Sequence, residues 1–182
     1  MRLLQRESPA RRQREDVNCG SYSKTLAPGL RLGWAISARH RDALLREKLV
    51  ASGSSPPLTQ RAAALFLAEG RYDRHVARLR RALRDQLRSL RAAVHRHFPA
   101  GTRTSDPKGG FVLWVRLPGD ADAGALYRRA ILEGISLAPG ALFSTDGRYR
   151  NHLRLAAGEP WTERHEAGIR RLGKLAGELA RR

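Results

Sequence analysis

One lysine, placed among hydroxyl groups and followed seven residues later by an arginine, is where this sequence offers chemistry. The stretch Gly20-Ser-Tyr-Ser-Lys-Thr-Leu-Ala-Pro-Gly-Leu-Arg-Leu-Gly-Trp34 sets Ser21, Ser23 and Thr25 around Lys24, and its Pro28-Gly29 turn can fold Arg31 back toward them. Hydroxyls, turn amides and a guanidinium are the donors that hold a phosphomonoester dianion, because charge-assisted bonds to it are the strong ones. A lysine beside such a cradle can attack a carbonyl as a neutral amine and form a Schiff base. Pyridoxal 5'-phosphate joins both needs, an aldehyde and a phosphate, in one molecule.

The elements that must position these residues read as α/β. Leu32 to Ile36 predicts a short strand after a turn at Gly20 to Ser23. Arg39 to Val50 has a helical period, with Leu44, Leu45, Leu49 and Val50 apolar. Pro57 suits the first turn of a second helix, where a missing N–H costs nothing, and Gly70 ends it. The longest helix is predicted over Tyr72 to about His97, from the stripe Tyr72, Val76, Leu79, Leu83, Leu87, Leu90 and Val94. Strands follow at Phe111–Leu117, Ile135–Ala138 and His152–Ala157. Asp122 caps a helix over Ala123–Glu133. Thr162 caps a last one, with the stripe Ile169, Leu172, Leu175, Ala176 and Leu179. Trp34, Trp114 and Tyr72 read as packing residues. The histidines show no metal-ligand spacing, so no metal site is expected.

Ser21 to Trp34 resembles the cofactor-lysine motif of the fold-type I aminotransferases, class I and II. The likeness continues through Ser52-Gly-Ser-Ser-Pro-Pro-Leu-Thr-Gln60 and Gly70-Arg-Tyr-Asp-Arg-His75. Lys108-Gly-Gly-Phe-Val-Leu-Trp-Val115, Gly134-Ile-Ser-Leu-Ala-Pro-Gly140 and Asn151-His-Leu-Arg-Leu155 follow in order. These segments are most similar to the MocR-type group, which joins a GntR-type winged helix to an aminotransferase-like domain. The resemblance implies pyridoxal 5'-phosphate as cofactor. Lys24 would form the internal aldimine and shuttle the proton, and Ser21, Ser23 and Arg31 would hold the phosphate. Arg154 would receive the substrate α-carboxylate, a role suited to its planar fork. An amino acid or amine as substrate and a homodimer are implied as well.

The same resemblance implies a domain about twice as long. Its first half supplies the glycine-containing phosphate loop, the ring-stacking aromatic and the aspartate that keeps the pyridine nitrogen protonated. The expected architecture is therefore the C-terminal portion of a fold-type I transferase. Residues 1–16 form an unmatched polar leader, 17–70 the end of the large domain, and 71–182 the small α/β domain. A truncated member, inactive by itself, is the corresponding expectation for activity, with DNA contacted only through a winged helix not present here.

Composition sets the alternatives. The formal charge is +18, and lysine contributes only Lys24, Lys48, Lys108 and Lys174. The arginines are spread along helices, as with Arg80, Arg84, Arg88 and Arg91, which reads as a solvated face. A basic nucleic-acid-binding module is the rival reading, as is a catalytically inactive fragment. No apolar run approaches the roughly 20 residues that span a bilayer. The single cysteine, Cys19, excludes an internal disulfide and fits a reducing, cytoplasmic setting.

Overall fold

A computed structural model describes residues 17–180; the polar leader lies outside them. The chain divides into two compact units, with the boundary between Val76 and Ala77.

The first unit opens with an antiparallel hairpin of β1 (Asn18–Ser21) and β2 (Gly33–Ile36), in register with Gly20 opposite Trp34 and Ser21 opposite Gly33. β1 is a strand where a turn was expected, since Gly20 and Ser21 belong to the ladder. Its polar residues carry no alternating pattern, so only the partner strand defines it. Two helices follow, α1 (Arg41–Ser52) and α2 (Pro57–Ala68). α1 stops at Gly53, whose positive φ of 58° suits a residue without a Cβ and whose N–H bonds to Leu49 O. Pro57 occupies the first turn of α2, as expected. The apolar residues of both helices are largely uncovered: Val50 is 86% exposed, Leu58 81% and Leu49 70%. Burial in this unit is concentrated at Ala63 on α2 and at Tyr72 and Val76, in the opening turns of α3 (Arg71–His97).

The second unit has a four-stranded sheet, β3 (Arg103–Thr104), β4 (Val112–Arg116), β5 (Ala138–Pro139) and β6 (His152–Ala156). The spatial order is β3-β4-β6-β5 and every pairing is antiparallel. Strand alternation sends Leu113 and Val115 of β4 and Leu153 and Leu155 of β6 to one face. There they meet Leu87, Leu90 and Val94 of α3, Leu126 and Ala130 of α4 (Ala123–Ile131), and Ile169, Leu172 and Leu175 of α5 (Glu163–Ala180). The stripe expected on α5 and the last three residues of the one on α3 thus join the core, while Leu79 and Leu83 of α3 are only half-buried. Asp122 caps α4 by accepting from Gly124 N at 2.7 Å.

The strand expected at Ile135–Ala138 shrinks to Ala138 and Pro139. The reason lies at the end of α4: Gly134 takes φ 73° and Ile135 N donates to Ala130 O at 3.0 Å. The backbone of Ile135 completes the helix terminus and is unavailable to a sheet. Gly173 on α5 lets two elements touch: a Cβ there would run into the carbonyl of His97. Gly173→Ala should destabilise this unit by about 1–3 kcal/mol, the usual cost of overpacking, measured by guanidinium unfolding.

Ion pairs tie the surface of this unit. His97 Nε2 donates to Glu166 at 2.6 Å and Arg96 donates to the same carboxylate at 3.0 Å. Arg171 grips Glu133 with two bonds, and Arg129 pairs with Glu178. The bond from His97 holds the Glu166 carboxyl below its ordinary value of 4.5, as Arg171 does for Glu133 and Arg129 for Glu178. A depressed carboxylate contributes stability that is complete above the unfolded value and lost as pH falls through the folded one. The melting temperature should therefore drop as pH is lowered from about 5 toward 3, and Glu166→Gln should flatten that slope. A slope unchanged by the substitution would remove Glu166 from the acid response.

Candidate cofactor site

Lys24 lies in the connection between the two hairpin strands, so the ladder fixes both ends of its loop. Tyr22 N donates to Leu32 O at 2.9 Å, extending the pairing by one step. The Tyr22 carbonyl then accepts from Leu26 N at 2.8 Å and Ala27 N at 3.2 Å, closing a turn around Ser23, Lys24 and Thr25. Pro28–Leu30 form a 3-10 turn, and Arg31 after it takes the left-handed conformation, φ 47° and ψ 40°. Such a backbone costs a non-glycine residue on the order of 1 kcal/mol. It returns the side chain to the turn: Arg31 Nη1 donates to Ser23 Oγ at 3.4 Å. Ser21 Oγ in turn accepts from Ser23 N at 3.2 Å. Ser21, Ser23 and Arg31 are thus joined, and Lys24, solvent-exposed, sits in the same turn. Two hydroxyls, a guanidinium and a primary amine form a donor set that fits a phosphate monoester bearing an aldehyde.

The start of α3 grips this loop. Tyr72 Oη donates to Thr25 Oγ1 at 2.9 Å, and His75 Nε2 donates to the Thr25 carbonyl at 2.9 Å. The Tyr22 ring meets Tyr72 edge-on at 6.1 Å, and burial together with that second phenol raises the Tyr22 pKa. Tyr72 is buried, as a packing residue should be, but the sequence reading missed its hydroxyl. The available signal was two polar-tipped residues three apart on one helical face.

Arg154 belongs to the second unit. It sits on β6, opposite Trp114 of β4 and Ala138 of β5, on the face turned away from the core. Its guanidinium lies 4.8 Å from the centre of the Phe143 ring, a cation–π contact. Trp114 meets Phe143 edge-on at 5.4 Å and stacks on His152 at 5.6 Å. Trp114 was expected in the core; alternation gives the core to Leu113 and Val115 and leaves the indole in this outer aromatic cluster. Burial, then the charge of Arg116, pushes His152 below its ordinary 6.5, so it is neutral near pH 7. Trp34 is half-buried against Gly20, where a Cβ would strike the indole. The arginines Arg80, Arg84, Arg88 and Arg91 border a groove of about 450 Å³ floored by Leu83 and Leu87, with Lys108 and Asp106 on the other side. Among the described residues, no cluster of histidine, cysteine or carboxylate could hold a metal, and no helix is long and apolar enough to cross a membrane.

Comparison with known proteins decides the family. The model of aminotransferase class I and II matches residues 6–167. The chain belongs to that family. It is 37% identical over 156 residues to an uncharacterised HTH-type transcriptional regulator, YjiR, of Escherichia coli K12, covering 86% of this chain and 33% of that protein. It is 36% identical over 168 residues to a 2-aminoadipate transaminase of Thermus thermophilus, covering 90% of this chain and 42% of that one. The crystal structure of LysN, an α-aminoadipate aminotransferase of the same species complexed with N-(5'-phosphopyridoxyl)-L-leucine, superposes with a TM-score of 0.85 at 33% identity. That match covers 93% of this chain and 44% of LysN. The α/β fold is that of part of a fold-type I aminotransferase, and the chain spans about a third to under half of these relatives. The cofactor this family indicates is pyridoxal 5'-phosphate.

Within the hairpin, Gly20→Ala should displace Trp34 and loosen the lysine loop, at a cost of about 1–3 kcal/mol. Faster amide exchange at Tyr22 and Leu26 checks this; unchanged exchange would show that the indole yields without disturbing the ladder.

Proposed function

We propose that this chain is an aminotransferase-like domain that holds pyridoxal 5'-phosphate on Lys24, with Ser21, Ser23 and Arg31 on the phosphate. The observation that carries it is the Arg31 guanidinium folded back onto the Ser23 hydroxyl, one residue from the lysine. Residues 17–70 are then the end of a cofactor-binding large domain, and 71–182 a small domain.

When bound, the cofactor supplies an aldehyde for the amine and a ring that withdraws electrons from the carbon bearing the substrate nitrogen. The chain's residues do the rest. Lys24 Nζ is the amine that retains the cofactor. Once a substrate amino group takes its place, the same Nζ is free to accept the proton from the substrate α-carbon. Arg31 balances the phosphate charge while the two hydroxyls orient it. Arg154 pairs its planar fork with a substrate carboxylate.

The substrate is an amino acid or amine, and the assembled protein is a homodimer in the cytoplasm. A second reading, favoured by the likeness to an HTH-type regulator, keeps the same site but uses occupancy to set a regulator's conformation instead of turning substrate over.

Pyridoxal phosphate added to the purified chain should give the absorbance band of a lysine-bound cofactor. Borohydride reduction and peptide mapping should place it on Lys24, and Lys24→Ala should lose it with the fold intact. Arg31→Ala should weaken binding about tenfold or more, the worth of one charge-assisted bond. Label scattered over Lys48, Lys108 and Lys174 would sink the assignment.

A further inference from the structure

We propose that Tyr72 and His75 are positioning residues that set the aim of Lys24 by clamping Thr25, the residue after it. The proposal rests on the reading of Lys24 as the cofactor lysine. Thr25 is held at two points, its hydroxyl by Tyr72 and its carbonyl by His75, each at 2.9 Å. Both bonds come from one helical face almost fifty residues further along the chain, at separations of 47 and 50. The donors are themselves ordered: Tyr72 is 9% exposed, and the His75 ring meets Phe66 edge-on at 5.9 Å.

Lys24 therefore sits between two fixed points. Tyr22, before it, carries the hairpin bond to Leu32 and the ring contact with Tyr72. Thr25, after it, carries the clamp. A loop held on both sides of its functional residue has less freedom to lose when that residue binds, which is where preorganisation gains affinity. Lys24 is exposed and its neighbours in the turn are half-buried rather than buried, so hydrogen bonds to those neighbours help to fix the lysine backbone. His75 acts as a donor through Nε2, so glutamine, which presents an amide N–H at a similar reach, can stand in for it.

The test is amide exchange by mass spectrometry on the full chain without cofactor, followed by pyridoxal phosphate titration. In Tyr72→Phe and His75→Leu, the Leu26 and Ala27 amides should exchange roughly fivefold to tenfold faster, the effect of losing one hydrogen bond. His75→Gln should restore the protection, and peptides from α5 should not change in any variant. Because Tyr72 is buried, Thr25→Val serves as the second route. It removes the hydroxyl without touching the helix, and combining it with Tyr72→Phe should add no further loss. Cofactor affinity should fall by a similar factor while the label stays on Lys24. Unchanged exchange in both single variants, or additive losses in the double variant, would overturn the clamp. If the unsubstituted chain took no label at Lys24, the functional reading would fall, and the exchange data would still decide the clamp.

Discussion

The register of a hairpin with four-residue strands governs the candidate site. With Gly20 opposite Trp34 and Ser21 opposite Gly33, the ladder brings residues 22 and 32 within bonding distance, and everything between them must close as one loop. That closure puts Ser21, Ser23, Lys24 and Arg31 on a short stretch of backbone whose ends cannot drift apart. A slip by one residue would turn the side chains of the slipped strand to the opposite face and disturb the loop closure that returns Arg31 to Ser23. The close approach of the indole to Gly20 is what resists it, since no residue with a Cβ could occupy that position without moving the ring.

In the second unit the governing constraint is strand alternation. Leu113, Val115, Leu153 and Leu155 close a core with three helices, and the intervening Trp114, His152 and Arg154 have no choice but the other face. Arg154 thereby gains a rigid mount. Its own strand is central in the sheet, and the aromatic ring of Phe143 holds the guanidinium from one side. The surface ion pairs around α4 and α5 are exposed and contribute little individually; their role shows mainly in acid.

The two units differ in how they are stabilised. The second buries a continuous apolar core, with Leu126, Leu153 and Leu172 fully inaccessible. The first leaves Val50, Leu49 and Leu58 largely open and is ordered by hydrogen bonds to a loop.

Much of this was legible in the sequence. The Lys24 to Arg31 motif is local, so its donors could be read from spacing alone, and the helices announced themselves by their apolar stripes and by Pro57, Asp122 and Gly70. Strands β1 and β3 did not, because Asn18–Ser21 and Arg103–Thr104 have no pattern of their own and exist through their partners. Ile135 read as a strand residue until the end of α4 claimed its N–H. Which face Trp114 would take, and that Tyr72 and His75 would reach Thr25, depended on elements far apart along the chain. The amino-acid order by itself determined the chemistry on offer, because functional groups a few residues apart must share a neighbourhood. Only the tertiary structure decided what orients that chemistry, because a bond spanning some fifty residues exists only after the helix and the hairpin have come together.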